Sequence, residues 1–240
     1  MAFGPERNTV IHRQAQEAAV IDVGLRQYML GVYNYMASGL ALTGIVATVV
    51  AMSPSLQQAI FGTPLMWVAI LAPVALVFFL SFRVHKMSAT AAQATFWIYA
   101  ALNGVAFSLL FLNYTGESIA RVFFITAATF AGVSLYGYTT KRDLSGMGAF
   151  MMMGLIGILI AMVVNLFLAS SALQFAISVI GVIVFTGLTA WDTQRIKEWY
   201  YEGDDREVMS KKSIMGALSL YLDFINLFVM LMQLLGVRRD

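Results

Sequence analysis

Seven long apolar stretches constrain the fold of this chain more than any other feature of its sequence. Each is roughly 17 to 25 residues long, the length that a tilted helix needs to cross a bilayer. The connections between them are short, so no soluble domain has room to fold there. The predicted spans are residues 28–52, 64–82, 91–112, 119–138, 148–169, 173–191 and 214–235.

The charge content supports the same conclusion. Only 12% of the residues are charged and 60% are hydrophobic, whereas a soluble domain carries about 25% charged residues. The chain is therefore predicted to be an all-α integral membrane protein whose main partner is the lipid bilayer. It contains no cysteine, which excludes disulfides, thiol nucleophiles and cysteine metal sites. A net charge of +2 is too small to indicate nucleic-acid binding.

The basic residues predict the orientation in the membrane. Alternating the seven spans places twelve lysines and arginines on one face and only three on the other, a positive-inside pattern. The N-terminus is then cytoplasmic and the C-terminus outside. Residues 1–27 contain no apolar core of signal-peptide length, so we expect a cytoplasmic tail, either a short helix or disordered, followed by a transmembrane domain over residues 28–240. The three outer residues are Arg121, Arg238 and Arg239.

Two aspartates near the end of the chain are the candidate functional residues. Asp223 lies well inside the last apolar stretch, where an unpaired carboxylate costs several kcal/mol, and Asp192 lies near the inner end of the sixth. Because the sixth and seventh spans run in opposite directions, both aspartates fall in the cytoplasmic half of the bundle. Two carboxylates in one low-dielectric site cannot both ionise cheaply, so we expect them to share a proton. Such a pair is suited to a pH-sensitive latch or a cation site.

Simpler interpretations of the same aspartates stay open. Asp192 is only three residues before Arg195 and fits a solvated position at the headgroup level. Asp223 fits a residue that links helices by hydrogen bonds. Polar side chains recur three or four residues apart along the last span on both sides of Asp223. This polar stripe predicts a helix face turned toward protein or water. Its members include Ser219, Asn226, Met230 and Gln233.

Other residues have alternative roles in the same way. Asn226 is suited either to contact a passing ion or to tie two helices together. Arg83, at the cytoplasmic end of the second span, is suited to pair with an ionised carboxylate or simply to anchor the helix. His12 and His85 have no second histidine at ligand spacing, so no zinc site is expected. Asp143 is a candidate cap for the fifth span.

Small residues spaced four apart predict close helix packing, since lipid provides no hydrophobic drive for association. We interpret these pairs as packing faces and not as functional sites. They are Ala37 and Ala41, Ala127 and Ala131, and Gly157 and Ala161.

The motifs that contain these residues resemble the Bax inhibitor-1 family, most closely its bacterial YccA-like members. The resemblance covers nearly the whole chain after residue 27. Trp191 replaces the tyrosine that commonly precedes the first aspartate, which preserves an aromatic ring. The matching segments are Phe82–Ser88 (FRVHKMS), Leu135–Ser145 (LYGYTTKRDLS), Ala190–Gln194 (AWDTQ) and Leu220–Phe228 (LYLDFINLF).

The resemblance implies a monomeric bundle in the bacterial inner membrane, with six helices around the seventh. It also implies a proton-regulated calcium leak with no cofactor, in which Asp192 and Asp223 sense pH and bind calcium weakly and transiently. Arg83 is then the arginine that latches onto them in the closed state. The resemblance to bacterial members of the family also implies an alternative function, that of a non-transporting modulator of a membrane-anchored ATP-dependent protease.

An enzyme is the least favoured hypothesis. Aspartates on the last two spans are also the arrangement of intramembrane aspartyl proteases. Those enzymes carry Gly-x-Gly-Asp at the second aspartate, whereas this chain has Leu220-Tyr-Leu-Asp223 and lacks the flexibility that the glycines supply. We therefore expect no catalytic residues. A retinal receptor is excluded because the seventh span contains no lysine for a Schiff base.

Overall fold

The computed structural model describes the backbone of residues 5–239 and the side chains of residues 23–239. Within these residues the regular secondary structure is entirely helical, apart from an isolated β-bridge between Tyr114 and Arg238. The helices are α1 (Pro5–Ala51), α2 (Pro54–Phe61), α3 (Leu65–Arg83), a 3-10 helix (Val84–Lys86), α4 (Ala89–Asn113), α5 (Gly116–Thr139), α6 (Ser145–Leu168), α7 (Ser171–Glu198) and α8 (Arg206–Leu235).

Seven of these helices are long and apolar enough to cross a membrane, which confirms the predicted count. The short α2 lies in the first connection and follows Pro54 at its first position, where a proline's missing N–H costs nothing. The observed α7 and α8 are longer than predicted, because both helices continue into the segment after Asp192 that was expected to be a connection. The other connections between the spans are short, as the sequence predicts.

Side-chain caps explain why several helices begin where they do. The oxygens of Ser88, Thr115, Ser170 and Asp205 accept the amide N–H three residues further on, at the starts of α4, α5, α7 and α8. At the start of α6 the Asp143 carboxylate accepts the N–H of Ser145 at 2.8 Å, and hydrogen bonding by the Ser145 side chain and backbone lowers the pKa of Asp143. Asp143 therefore satisfies the first helical amide as predicted, although Leu144 occupies the N-cap position.

The last helix forms the centre of the bundle. In its most apolar stretch 72% of the residues are buried, against 6–39% in the other six spans. The main neighbours of α8 are α1, α4, α5 and α7, whereas α3 packs mainly on α4 and α6 mainly on α7. The predicted central seventh span is confirmed, with four of the other six spans as its main contacts. Since α8 hardly contacts lipid, its polar residues are tolerated.

The connections fall at two ends of the bundle. At one end the Nζ of Lys211 donates to the Met87 carbonyl and the side chain of Gln194 donates to the Arg142 carbonyl. At the other end the chain after α8 pairs with the start of α5, where Thr115 N–H donates to the Val237 carbonyl at 2.9 Å. The last helix therefore crosses the whole bundle. Arg121, Arg238 and Arg239 all lie at or beside this second end.

The α1 helix extends into the predicted N-terminal tail. It begins at Pro5, so the backbone of the tail is helical over the part that the structure describes. The predictions that concern His12 and the other side chains before residue 23 lie outside the described residues. A cytoplasmic location of residues 1–27 stays a prediction.

The closest helix contacts occur at glycines that the spacing of small residues did not predict. A Cβ on Gly137 of α5 would lie 2.2 Å from the Ala190 carbonyl oxygen of α7, and one on Gly104 would lie 2.7 Å from the Thr43 carbonyl oxygen. The predicted packing faces are largely wrong: Ala37, Ala41 and Ala131 are exposed, and a Cβ on Gly157 would meet nothing within 4 Å. Spacing alone does not say which side of a helix faces a neighbour.

Candidate functional site

The structure brings the two aspartates together at the interface of α7 and α8. These antiparallel helices pack along their length, and Asp192 and Asp223 are close enough for their carboxyl groups to influence each other. Only 8% of Asp192 and 5% of Asp223 is exposed. Asp192 is therefore not a solvated residue at a helix end, because α7 continues past it for nearly two turns to Glu198.

The pair is incompletely satisfied by hydrogen bonds. Asp192 Oδ1 and Asp223 Oδ2 are buried and have no hydrogen-bond partner. Two carboxylates this close repel each other if both are ionised. Both oxygens therefore favour a proton or a positively charged group as a neighbour. The shared proton that the sequence suggested stays a prediction.

A basic residue compensates the charge of the pair from within α7. The guanidinium Nη2 of Arg195 lies 2.8 Å from Asp192 Oδ1, which makes an ion pair. The contact does not have hydrogen-bond geometry, and Arg195 Nε is likewise buried without a hydrogen-bond partner. The guanidinium lies 4.4 Å from the ring centre of Trp191 and 5.3 Å from that of Trp199. Cation–π attraction therefore holds it beside the carboxylates.

Sequence reasoning used Arg195 only in the count of basic residues and as a sign that Asp192 could lie at the headgroup level. The signal that reveals its role is the repeat Trp191, Arg195, Trp199, which puts an arginine between two indoles on one helix face, with Asp192 one turn away. The predicted latch residue Arg83 is exposed at the end of α3 and forms no ion pair with either aspartate in this structure. Its latching role stays a prediction.

The polar stripe of α8 continues from the aspartates toward the opposite end. Ser219 and Asn226 are half-buried, and the Asn226 side chain donates to the Leu222 carbonyl of its own helix at 2.8 Å. Farther along, Gln233 Oε1 accepts hydrogen bonds from Gln174 and Ser178 of α7, both at 2.6 Å. The stripe thus faces protein, as predicted, but its α7 partners were missed because they carry no charge.

A methionine closes the stripe between the aspartates and the glutamine cluster. Met230 is buried, and its side chain lies over Gly181 of α7, where an added Cβ would lie 2.7 Å from the sulfur. Any polar path along the α7–α8 interface is interrupted at this contact. Because a thioether on three rotatable bonds moves easily, Met230 is suited to act as a movable plug at this position.

A chain of hydroxyl groups connects the site to α1. The Tyr33 and Ser134 hydroxyls lie 2.6 Å apart, and Ser134 Oγ lies 2.9 Å from Thr193 Oγ1, next to Asp192 in sequence. The neighbouring Gln194 accepts the Leu144 N–H and donates to the Arg142 carbonyl, both at 2.8 Å. The inner end of α7 is therefore attached to α1, α5 and the connection before α6.

The two carboxylates are the only concentrated oxygen ligands at the site. No group of three or more histidine, cysteine, aspartate or glutamate side chains converges among residues 23–239. Calcium prefers six to eight oxygen ligands, so Asp192 and Asp223 fit at most a weakly held ion that keeps much of its water. Weak binding is what conduction requires.

Comparison with known proteins places the chain in a family. The family model described as "Inhibitor of apoptosis-promoting Bax1" matches residues 25–240, a range that contains the aspartates, Arg195 and all seven spans. The chain belongs to the Bax inhibitor-1 family. The resemblance seen in the sequence motifs is thereby confirmed over the whole transmembrane domain.

Two similar proteins come from bacteria and match the Bax inhibitor-1 chain almost end to end. An uncharacterized protein of Rickettsia prowazekii is 54% identical over 223 residues, which covers 91% of this chain and 93% of that protein. The inner membrane protein YbhL of Escherichia coli is 48% identical over 219 residues, covering 90% and 94%. The roles of Asp192, Asp223, Arg83, Ser219 and Asn226 stay predictions for this family member.

Proposed function

We propose that this Bax inhibitor-1 protein is a pH-sensitive cation leak of the bacterial inner membrane, with calcium as the transported ion. The observation that supports this function best is the proximity of two buried carboxyl groups at the interface of α7 and α8. A buried acid pair inside a membrane is costly and is commonly part of an ion or proton pathway. Only protonation or a cation relieves the repulsion within it.

The proposed mechanism couples the charge of the pair to the packing of α7 against α8. With one shared proton, the carboxyls stay in contact and Met230 fills the notch at Gly181. A change in the number of bound protons alters the attraction between the carboxyls, and the interface that they hold shifts with it. Gln233, Gln174 and Ser178 then provide polar groups for an ion beyond the plug.

The test is calcium flux into liposomes that contain the purified protein. We expect flux through the wild type to change between about pH 5 and about pH 8, the range over which buried carboxylates exchange protons. Asp192→Asn and Asp223→Asn should each remove most of this pH dependence, because an amide does not titrate. Asp143→Asn is the matched control, since Asp143 is an exposed acid in a connection. Unaltered pH dependence in both site variants contradicts the proposal.

The same preparation separates the leak from the two alternatives. A modulator of a membrane-bound ATP-dependent protease should carry no flux and should lose partner binding when residues 1–27 are removed, whereas a leak keeps its flux. An intramembrane aspartyl protease should cleave peptides, and either aspartate variant should abolish that cleavage. Only 5% of Asp223 is exposed, which argues against access by a peptide.

We further propose that the end of the bundle with the α5–α6 connection faces the cytoplasm. Most of the basic residues lie there, as the positive-inside rule requires. The absence of native cysteine makes labelling clean: Glu117→Cys and Lys141→Cys both replace exposed charges, one at each end. In intact spheroplasts, a membrane-impermeant maleimide should label only Glu117→Cys. Lys141→Cys should react only after the membrane is permeabilised. The reverse pattern contradicts this orientation.

A further inference from the structure

The small residues predicted to bring helices together instead line a groove. We propose that an anionic phospholipid binds in the groove between α1 and α5, with its phosphate at Arg26 and an acyl chain along the alanines. The α1–α5 groove has a volume of about 970 Å³, and the residues that matter most along it are Leu30, Ala37, Ala41, Ala131, Leu135 and Phe224.

The groove exists because the facing side chains are too small to fill the space between the two helices. Ala37 and Ala41 of α1 and Ala131 of α5 are all exposed although they line the same cavity. The Tyr33–Ser134 hydrogen bond, 2.6 Å long, spans the helices toward one end. A large tyrosine thus acts as a spacer, and the alanines beyond it leave the space open.

The groove opens sideways toward the lipid. Leu30 and Leu135, on its rims, are 50% and 62% exposed, and both belong to helices long and apolar enough to span a membrane. An empty apolar space next to lipid forfeits dispersion contacts on every side, whereas an acyl chain regains them. From Arg26 to Gly44, both of which line the groove, a helix rises about 27 Å, longer than the roughly 15 Å of hydrocarbon in one leaflet.

The polar groups are confined to the end at which a headgroup would lie. Arg26, Tyr33 and Tyr138 line that end. The Nζ of Lys197 donates to the Tyr138 carbonyl at 2.9 Å and lies 5.6 Å from the Tyr138 ring centre, so a second cation is close by. A guanidinium binds phosphate with two hydrogen bonds. An apolar channel with cations at one end matches a phospholipid of net negative charge.

The occupant of the α1–α5 groove would touch Phe224 beside Asp223, and Ser134, which is hydrogen-bonded to the residue beside Asp192. Phe224 forms part of the groove and follows Asp223, while Ser134 of the groove wall bonds Thr193, which follows Asp192. A bound lipid is thus positioned to influence the site. Lipid binding itself does not depend on the proposed leak and is tested separately.

The experiment counts lipids bound to the purified full chain by native mass spectrometry. Phosphatidylglycerol and phosphatidylcholine with identical acyl chains are added in turn. We expect the wild type to retain phosphatidylglycerol about tenfold more tightly, and Arg26→Gln, a substitution at an exposed residue, to lose that preference. Ala131→Leu should reduce binding of both lipids because the larger leucine side chain would fill part of the groove.

The matched control is Ala128→Leu, an equally exposed alanine of α5 outside the groove, which should bind lipid as the wild type does. Equal binding of the two lipids by the wild type, or equal loss in Ala128→Leu and Ala131→Leu, overturns the proposal in favour of unspecific annular lipid. Thermal unfolding of each variant shows that it is folded. Should Ala131→Leu not fold, Arg26→Gln alone decides: retained selectivity overturns the proposal and lost selectivity supports it.

Discussion

Gly137→Ala is expected to lower the free energy of unfolding by about 2 to 3 kcal/mol, the cost of forcing an extra methyl into a packed interior. The new Cβ would lie 2.2 Å from the Ala190 carbonyl oxygen and 3.0 Å from its Cα. These are backbone atoms of α7, so no side-chain rotation relieves the collision. Helices α5 and α7 must move apart, two residues before Asp192.

The matched control for Gly137→Ala is Gly132→Ala on the same helix, where an added Cβ meets nothing within 4 Å. That change should be neutral or slightly stabilising, since alanine is the better helix former. Unfolding of both purified variants in detergent, by heat or by titration with denaturing detergent, measures the difference. Equal stability of the two variants would show that α5 and α7 do not approach as closely as the structure has them.

Arg195→Gln is expected to lower the free energy of unfolding by about 1 to 3 kcal/mol at about pH 8. The change removes the cation 2.8 Å from Asp192 Oδ1 and its contacts with two indole rings. The expected loss lies below that of a fully buried ion pair because a third of the Arg195 side chain is exposed, where solvent screens the charge. At about pH 5 the loss should shrink, since a proton replaces the guanidinium as the partner of the carboxylate.

A double variant identifies the cause of the Arg195→Gln effect. Asp192→Asn with Arg195→Gln leaves no isolated charge and should recover part of the lost stability, whereas additive losses would mean that the two residues act independently. Arg142→Gln is the control for removing a basic residue from the same end, because Arg142 is exposed. In flux measurements, Arg195→Gln should also shift the pH at which the leak responds.

Much of the fold was predictable because a bilayer demands long apolar helices with few charges. The seven spans needed no knowledge of contacts, and the polar stripe around Asp223 already required the last span to face protein. The ends of α7 and α8 were less predictable. Past Trp191 the helix is stabilised by the ion pair of Arg195 with Asp192 and by the contacts of Arg195 with two tryptophans, which hydropathy does not reveal.

The candidate site was predictable in part for a related reason. Two acids on successive antiparallel spans fall at similar depth, so the meeting of Asp192 and Asp223 follows from topology. Which arginine accompanies them does not, because Arg83 and Arg195 both lie at the same predicted end. The tertiary structure places Arg195 at the carboxylate and leaves Arg83 exposed at the end of α3.

By itself, then, the sequence determined that this is a seven-span membrane protein and predicted an acid pair on its last two spans, since a bilayer demands apolar helices and makes a buried charge costly. Only the tertiary structure decided which side of each helix faces a neighbouring helix. The alanines of α1 and α5 line a groove, whereas Gly137 and Gly104 make the close contacts, because the rotation of each helix depends on all its neighbours at once and not on the spacing of its small residues.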